Sequence, residues 1–230
     1  MALKSTFNAL HLRGKLFLEY NKLESAKQDL RDAYELNSES GDLLFDLGYL
    51  EYLNGENQLA LEYYTQAVKY DQHNPNTYVN IGNIYAIMGN IKLAIDNYSK
   101  ALVLDTTDGI AYYNRANEKM LLGDFAGAVE DYESSLLIDS TNTNTLFILA
   151  EAKLKLNDNK GAFDNYNSIL SIDSTSAKAY YCRGITEIAL GKNEKACLDF
   201  KRAGERGHFD AYEMIKKYRS PQKKSIKKKK

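Results

Sequence analysis

Apolar side chains in residues 75–108 recur at helical spacing in two runs. Tyr78, Ile81, Gly82, Tyr85 and Ala86 share one face, and Leu93, Ala94, Tyr98, Ala101 and Leu102 share another. The i, i+3, i+4, i+7 pattern predicts two amphipathic helices. Between them sits Gly89, a residue suited to the left-handed conformation that closes a helix C-terminus. The segment reads as a helix, a tight turn and a second helix.

The same pattern recurs along the chain with a period of 34 residues and no slip in register. Alanine stands at Ala26, Ala60, Ala94, Ala128, Ala162 and Ala196. Twelve residues earlier the column is small: Gly14, Gly48, Gly82, Ala116, Ala150 and Gly184. Four residues later it is large: Leu30, Tyr64, Tyr98, Tyr132, Tyr166 and Phe200. Seven later it is Ala33, Ala67, Ala101, Ser135, Ile169 and Ala203, so residue 169 marks the fifth repeat as divergent. The turn column holds only Asn or Gly: Asn21, Gly55, Gly89, Gly123, Asn157 and Gly191.

A fixed period of this size predicts a solenoid, in which each hairpin buries its apolar face against its neighbours. The small and alanine columns are expected where paired helices approach most closely. The large column is expected to fill the gap to the next hairpin.

These columns resemble the tetratricopeptide repeat, whose signature runs W-x2-L-G-x2-Y, then A, then F, then P. The third repeat matches best, through Tyr78, Ile81, Gly82 and Tyr85, then Ala94, Tyr98 and Ala101. At the usual proline this chain has Ser38, Gln72, Thr106, Ser140, Ser174 and His208, preceded in five cases by Asn37, Asp71, Asp105, Asp139 or Asp173. Side-chain oxygens at those positions are expected to turn the chain and cap the next helix.

The resemblance implies an all-α, right-handed superhelical solenoid of antiparallel helix pairs. Its repeats are expected at 7–40, 41–74, 75–108, 109–142, 143–176 and 177–210, after a lead-in at 1–6. A capping helix is expected over 208–219, with Phe209, Tyr212, Ile215 and Tyr218 on one face, followed by a disordered tail over 220–230.

Composition narrows the chemistry. Two cysteines, Cys182 and Cys197, cannot form a disulfide framework, and His11, His73 and His208 are too scattered for a histidine metal site. No phosphate-cradling, zinc-protease or nucleophile-elbow motif is present, and no cofactor is expected. Glu130 and Asp131 read as a solvated helix face rather than an acid–base pair, His11 as a surface residue, and the cysteines as packing. The N-terminal residues lack the apolar core of a secretory signal, and no run approaches the ~18 apolar residues of a membrane helix. A soluble, cytoplasmic, non-enzymatic protein is expected.

The resemblance further implies that first-helix residues line a concave groove holding an extended peptide or a partner helix. One line is His11, Phe45, Val79, Tyr113, Phe147 and Tyr181. A second, one turn on, is Lys15, Tyr49, Asn83, Asn117, Glu151 and Ile185, with Asn80 and Asn114 beside them. The aromatics offer contact area and the Asn amides offer both donors and an acceptor to a peptide backbone. Plain packing of Tyr113 and Phe147 is the competing account. The family's clamp for chaperone C-terminal carboxylates is not matched, because Val79, Tyr113 and Phe147 occupy its basic places.

Charge adds one feature. The chain carries 30 basic and 31 acidic residues, for a net of −1. Nine of the basic residues fall between Lys216 and Lys230, which leaves 21 against 31 in residues 1–215, a net of −10. The tail lysines Lys223, Lys224, Lys227, Lys228, Lys229 and Lys230 are candidates for contact with nucleic acid or an acidic membrane. Three roles therefore stand: a scaffold or adaptor binding a protein or peptide partner, a protein tethered by its basic tail, and a self-assembling solenoid.

Overall fold

The computed structural model describes residues 2–218. Among these residues every regular element is an α-helix. They pair as α1 (Ala2–Glu19) with α2 (Leu23–Leu36), α3 (Gly41–Leu53) with α4 (Asn57–Tyr70), and α5 (Pro75–Ile87) with α6 (Ile91–Leu104). Then come α7 (Gly109–Leu122) and α8 (Phe125–Ile138). The pairs α9 (Thr143–Lys155) with α10 (Asn159–Ile172) and α11 (Ala177–Ala189) with α12 (Asn193–Glu205) follow, and α13 (Ala211–Tyr218) is last. No described helix is long and apolar enough to cross a membrane.

The described residues form two compact units, divided between Leu122 and Gly123. In the first, α1 to α7 stack in order, each helix touching the next. In the second, α8 to α13 do the same. The lysine tail lies outside the described residues, and so does the anion contact expected there of Lys223, Lys224, Lys227, Lys228, Lys229 and Lys230.

The large column fills the gap to the next hairpin, as expected, with Tyr64 clustered on Ile81 and Ile84 and Leu30 on Leu43 and Leu47, and it has a second role within its own hairpin. Leu30, Tyr64, Tyr98, Tyr166 and Phe200 are at most 2% exposed. Four of them lie over the small column of their own hairpin. A Cβ built on Gly48 would stand 2.8 Å from the Tyr64 ring, on Gly82 2.7 Å from Tyr98, and on Gly184 2.7 Å from Phe200. On Gly14 it would stand 2.7 Å from Leu30 Cδ2. The small column is therefore a seat for the large side chain sixteen residues on. In the fifth repeat, Ala150, Tyr166 and Ile169 share one buried cluster, so the divergent Ile169 is accommodated.

The turns divide their labour between two columns. Gly89 at φ 74° and Asn157 at φ 61° close their hairpins in the left-handed region. Between hairpins, Asp105, Asp139 and Asp173 accept hydrogen bonds from the backbone N–H and the hydroxyl of Thr107, Thr141 and Thr175. These contacts turn the chain but do not cap the next helix, as had been expected of them. Capping falls three residues further on, where Ser40, Asp108, Asn142 and Ser176 accept from Leu43, Ala111, Thr145 and Ala179.

Three expectations are corrected by burial. Asp131 is buried in α8 rather than solvated, while Glu130 is exposed. His11 is not a surface residue: it is half-buried, and its Nε2 lies 2.7 Å from Asp46 Oδ2 on α3. The terminal helix starts only at Ala211, after a turn through Gly207, which leaves Phe209 73% exposed and outside it. Ala211, Met214 and Ile215 cover Ala196, Phe200 and Ala203, and Tyr212 lies over Gly204.

Two outcomes follow. Gly82→Val places two methyls in the Tyr98 seat and lowers stability by about 1–3 kcal/mol in urea unfolding. The hydrogen bonds from Thr141 hold the Asp139 carboxyl below its ordinary value. A carboxyl lowered in the folded state adds stability above its unfolded titration range and loses it as pH falls through the folded one. In Thr141→Val, carboxyl NMR will show Asp139 titrating at higher pH, and an unmoved titration would refute the assignment.

Candidate partner-binding face

In the first unit, the ring column carries hydroxyls to the edge of the core, where they meet asparagines. Asn80 on α5 donates Nδ2–H to Tyr64 Oη at 3.0 Å. Tyr98 Oη donates to Asn83 Oδ1 at 2.8 Å, and Asn114 Nδ2 on α7 donates to the same oxygen at 3.1 Å. Burial pushes both tyrosine hydroxyls well above their ordinary titration range, so they stay protonated. The bonds fix the amide orientations: the Asn83 carbonyl faces its two donors, and the Asn80 carbonyl remains an acceptor.

Asn83, Tyr98 and Asn114 line a cleft of about 350 Å³. Its walls are Tyr52 from α3, Asn83, Ala86 and Ile87 from α5, Tyr98 from α6, and Asn114, Asn117 and Glu118 from α7. Asn83, Asn114 and Asn117, expected on this face from the sequence, come together in the fold, and Tyr52 and Glu118, not among the expected residues, join them. The signal for Glu118 was available: its column reads Leu16, Leu50, Ile84, Glu118, Ala152 and Thr186. Glu118 is only 8% exposed, its Oε2 has no hydrogen-bond partner, and burial pushes its carboxyl up.

The aromatic line is partly core. Phe45 packs against Tyr64 with ring centroids 5.6 Å apart, Phe147 against Tyr166 at 6.0 Å, and Tyr181 against Phe200 at 5.7 Å. Val79 is 8% exposed and belongs to the cluster around Tyr98. Tyr113 is half-buried. Tyr49, Glu151 and Ile185 are exposed, as is Lys15. In the second unit Tyr181 also stacks on His208 at 4.0 Å, and Lys178 lies 4.6 Å from the Phe147 centroid. Phe147, Glu151 and Tyr181 thus occupy α9 and α11 in their own unit.

Burial pushes the Cys182 thiol above its usual range, the opposite of nucleophile activation. Among the described residues, no three of His, Cys, Asp or Glu come together as a metal-ligand set. A bidentate pair, Arg183 to Asp199 at 2.6 and 2.9 Å, is matched in the first hairpin by Arg13 to Asp29 at 2.5 and 2.7 Å. Both tie paired helices together rather than face a ligand.

Comparisons with known proteins agree with this geometry. Tetratricopeptide repeat family models match residues 11–76, 75–108 and 110–142. The search of curated proteins finds no match. Among solved structures, YrrB, described as a TPR protein with an unusual peptide-binding site, is 22% identical at TM-score 0.72, over 81% of this chain and 97% of its own. PilF of Pseudomonas aeruginosa is 19% identical at TM-score 0.70, over 94% and 100%. The C-terminal part of a TPR repeat-containing protein of Cytophaga hutchinsonii is 16% identical at TM-score 0.79, over 90% and 87%. At these identities the likeness establishes the fold.

The hydroxyl network has a measurable worth. Tyr98→Phe removes one donor from Asn83 and costs about 1 kcal/mol in chemical denaturation, with helical content unchanged.

Proposed function

The chain belongs to the tetratricopeptide repeat family, and from that premise we propose that it is a non-enzymatic adaptor capturing an extended segment of a protein partner on the first-helix faces of α3, α5 and α7. Repeats of this kind in general bind protein or peptide partners. The observation that carries the reading is the cleft of Asn83, Asn114 and Asn117. Three amides on one face supply donors and acceptors to a peptide backbone irrespective of its sequence. On the same helices, exposed Tyr49 and half-buried Phe45, Asn80 and Tyr113, with buried Val79, complete the proposed contact set. YrrB, of the same fold, has a peptide-binding site, which supports this use of the scaffold. Phe147, Glu151 and Tyr181 offer the second unit an equivalent strip.

Cutting the exposed contact and one amide tests the reading. The Tyr49→Ala, Asn117→Ala variant keeps its far-UV circular dichroism but loses at least about tenfold of its retention of a randomised, N-acetylated and C-amidated nonapeptide library. Retention equal to the parent protein rules the site out.

A further inference from the structure

Glu118 is out of place by the rule of its own column. Of the equivalent positions, Leu50 and Ile84 are fully buried, Ala152 and Thr186 are also buried, and Leu16 in the first hairpin is exposed. The hairpin geometry therefore accepts an apolar residue there, and folding does not call for a carboxylate. A carboxylate that is buried and unpaired weakens the fold. Glu118 is in that position: 8% exposed, with Oε2 lacking a hydrogen-bond partner, at the wall of a cleft wide enough for a side chain.

We propose that the cleft of Glu118, Asn83, Asn114 and Asn117 is a subsite for a cationic side chain, an arginine guanidinium or a lysine ammonium, of the captured peptide. This rests on the reading of the face as a peptide-binding site and names what that site selects. The chemistry is complementary. A guanidinium or ammonium has only donors, and the cleft offers it the Glu118 carboxylate, the Asn114 amide oxygen and the Tyr98 hydroxyl oxygen. Tyr52 and Tyr98 add aromatic walls, which attract cations across their faces. The field has the same sign: residues 1–122 hold 11 basic against 16 acidic residues. A single carboxylate among amides is too few hard ligands for a divalent cation.

The test uses the full chain and an N-acetylated, C-amidated nonapeptide library, each position in turn fixed as Arg, Lys, citrulline or norleucine. Fluorescence anisotropy is expected to show one position where Arg or Lys binds about tenfold or more tighter than citrulline or norleucine. Glu118→Gln, nearly isosteric, abolishes that preference while still binding the norleucine peptides. Glu118→Leu restores the apolar residue of the column, so it raises the melting temperature and also loses the preference, which separates lost recognition from lost folding. A cation preference that survives in Glu118→Gln overturns the inference, as does a less stable Glu118→Leu. Peptides bound without any charge preference overturn it too and leave the broader peptide-binding reading standing. A parent protein that retains no peptide overturns both.

Discussion

Each hairpin depends on one steric fit, a large side chain seated on a residue with little or no side chain. Gly48 under Tyr64, Gly82 under Tyr98 and Gly184 under Phe200 leave less than 3 Å for any added carbon. The fit sets how closely the two helices approach and in what register, because the partners lie sixteen residues apart across a turn. Every other regularity follows from it. The left-handed turn residue must fall between the two partners. The alanines Ala26, Ala60, Ala94, Ala162 and Ala196, all fully buried, line the remaining helix contact. A shift of one residue would put Leu47 or Ile81 where a glycine is needed.

The ring in the seat also links core to surface. A phenylalanine would fill the space as well, and Phe200 does so in the last hairpin. Tyrosine adds a hydroxyl that reaches the edge of the core, where Asn80 donates to Tyr64 and Asn83 accepts from Tyr98. Of the chain's 18 tyrosines, Tyr64 and Tyr98 thus do both: each fills the core and orients an amide on the first-helix face. A hydroxyl in that place is costly unless paired, so the asparagines are held in fixed poses rather than left to sample rotamers. Beside each ring, the neighbouring column offers two solutions. Arg13–Asp29 and Arg183–Asp199 bridge their helices with bidentate ion pairs, whereas Leu47, Ile81 and Leu149 fill the same place with apolar side chains.

Periodicity in the sequence shows which positions are equivalent, and that made the helices, the turns and the family legible. It does not show which partner an equivalent position meets. The large column reaches the next hairpin, as Tyr64 does at Ile81 and Ile84, but its seat on the small residue of its own hairpin was not legible, because period alone cannot distinguish packing within a repeat from packing between repeats. Asp131 and His11 looked like surface residues by type. Polar residues are buried where a specific partner compensates them, as Asp46 does for His11, and such a partner lies a whole repeat away in sequence. On the binding face, Asn83, Asn114 and Asn117 were legible as polar residues on a helix face beside the core. Their coupling to Tyr98 was not, since it depends on the depth of the ring seat.

A repeat protein carries its own controls, and they bear on the site. Where Leu50, Ile84 and Ala152 fill a column without difficulty, the scaffold has shown what it needs there. A departure such as Glu118 cannot then be credited to the fold, and its burial without a partner for Oε2 works against stability. The same comparison sorts the asparagines. Their column reads Lys15, Tyr49, Asn83, Asn117, Glu151 and Ile185, with no shared chemistry. A column that varies this widely is not constrained by packing. What its residues have in common between α5 and α7 is an amide, and the departure in the neighbouring column falls on that same cleft. Two independent columns relax the packing rule at one place, which is the pattern expected where a surface is shaped by what it binds rather than by what holds it together.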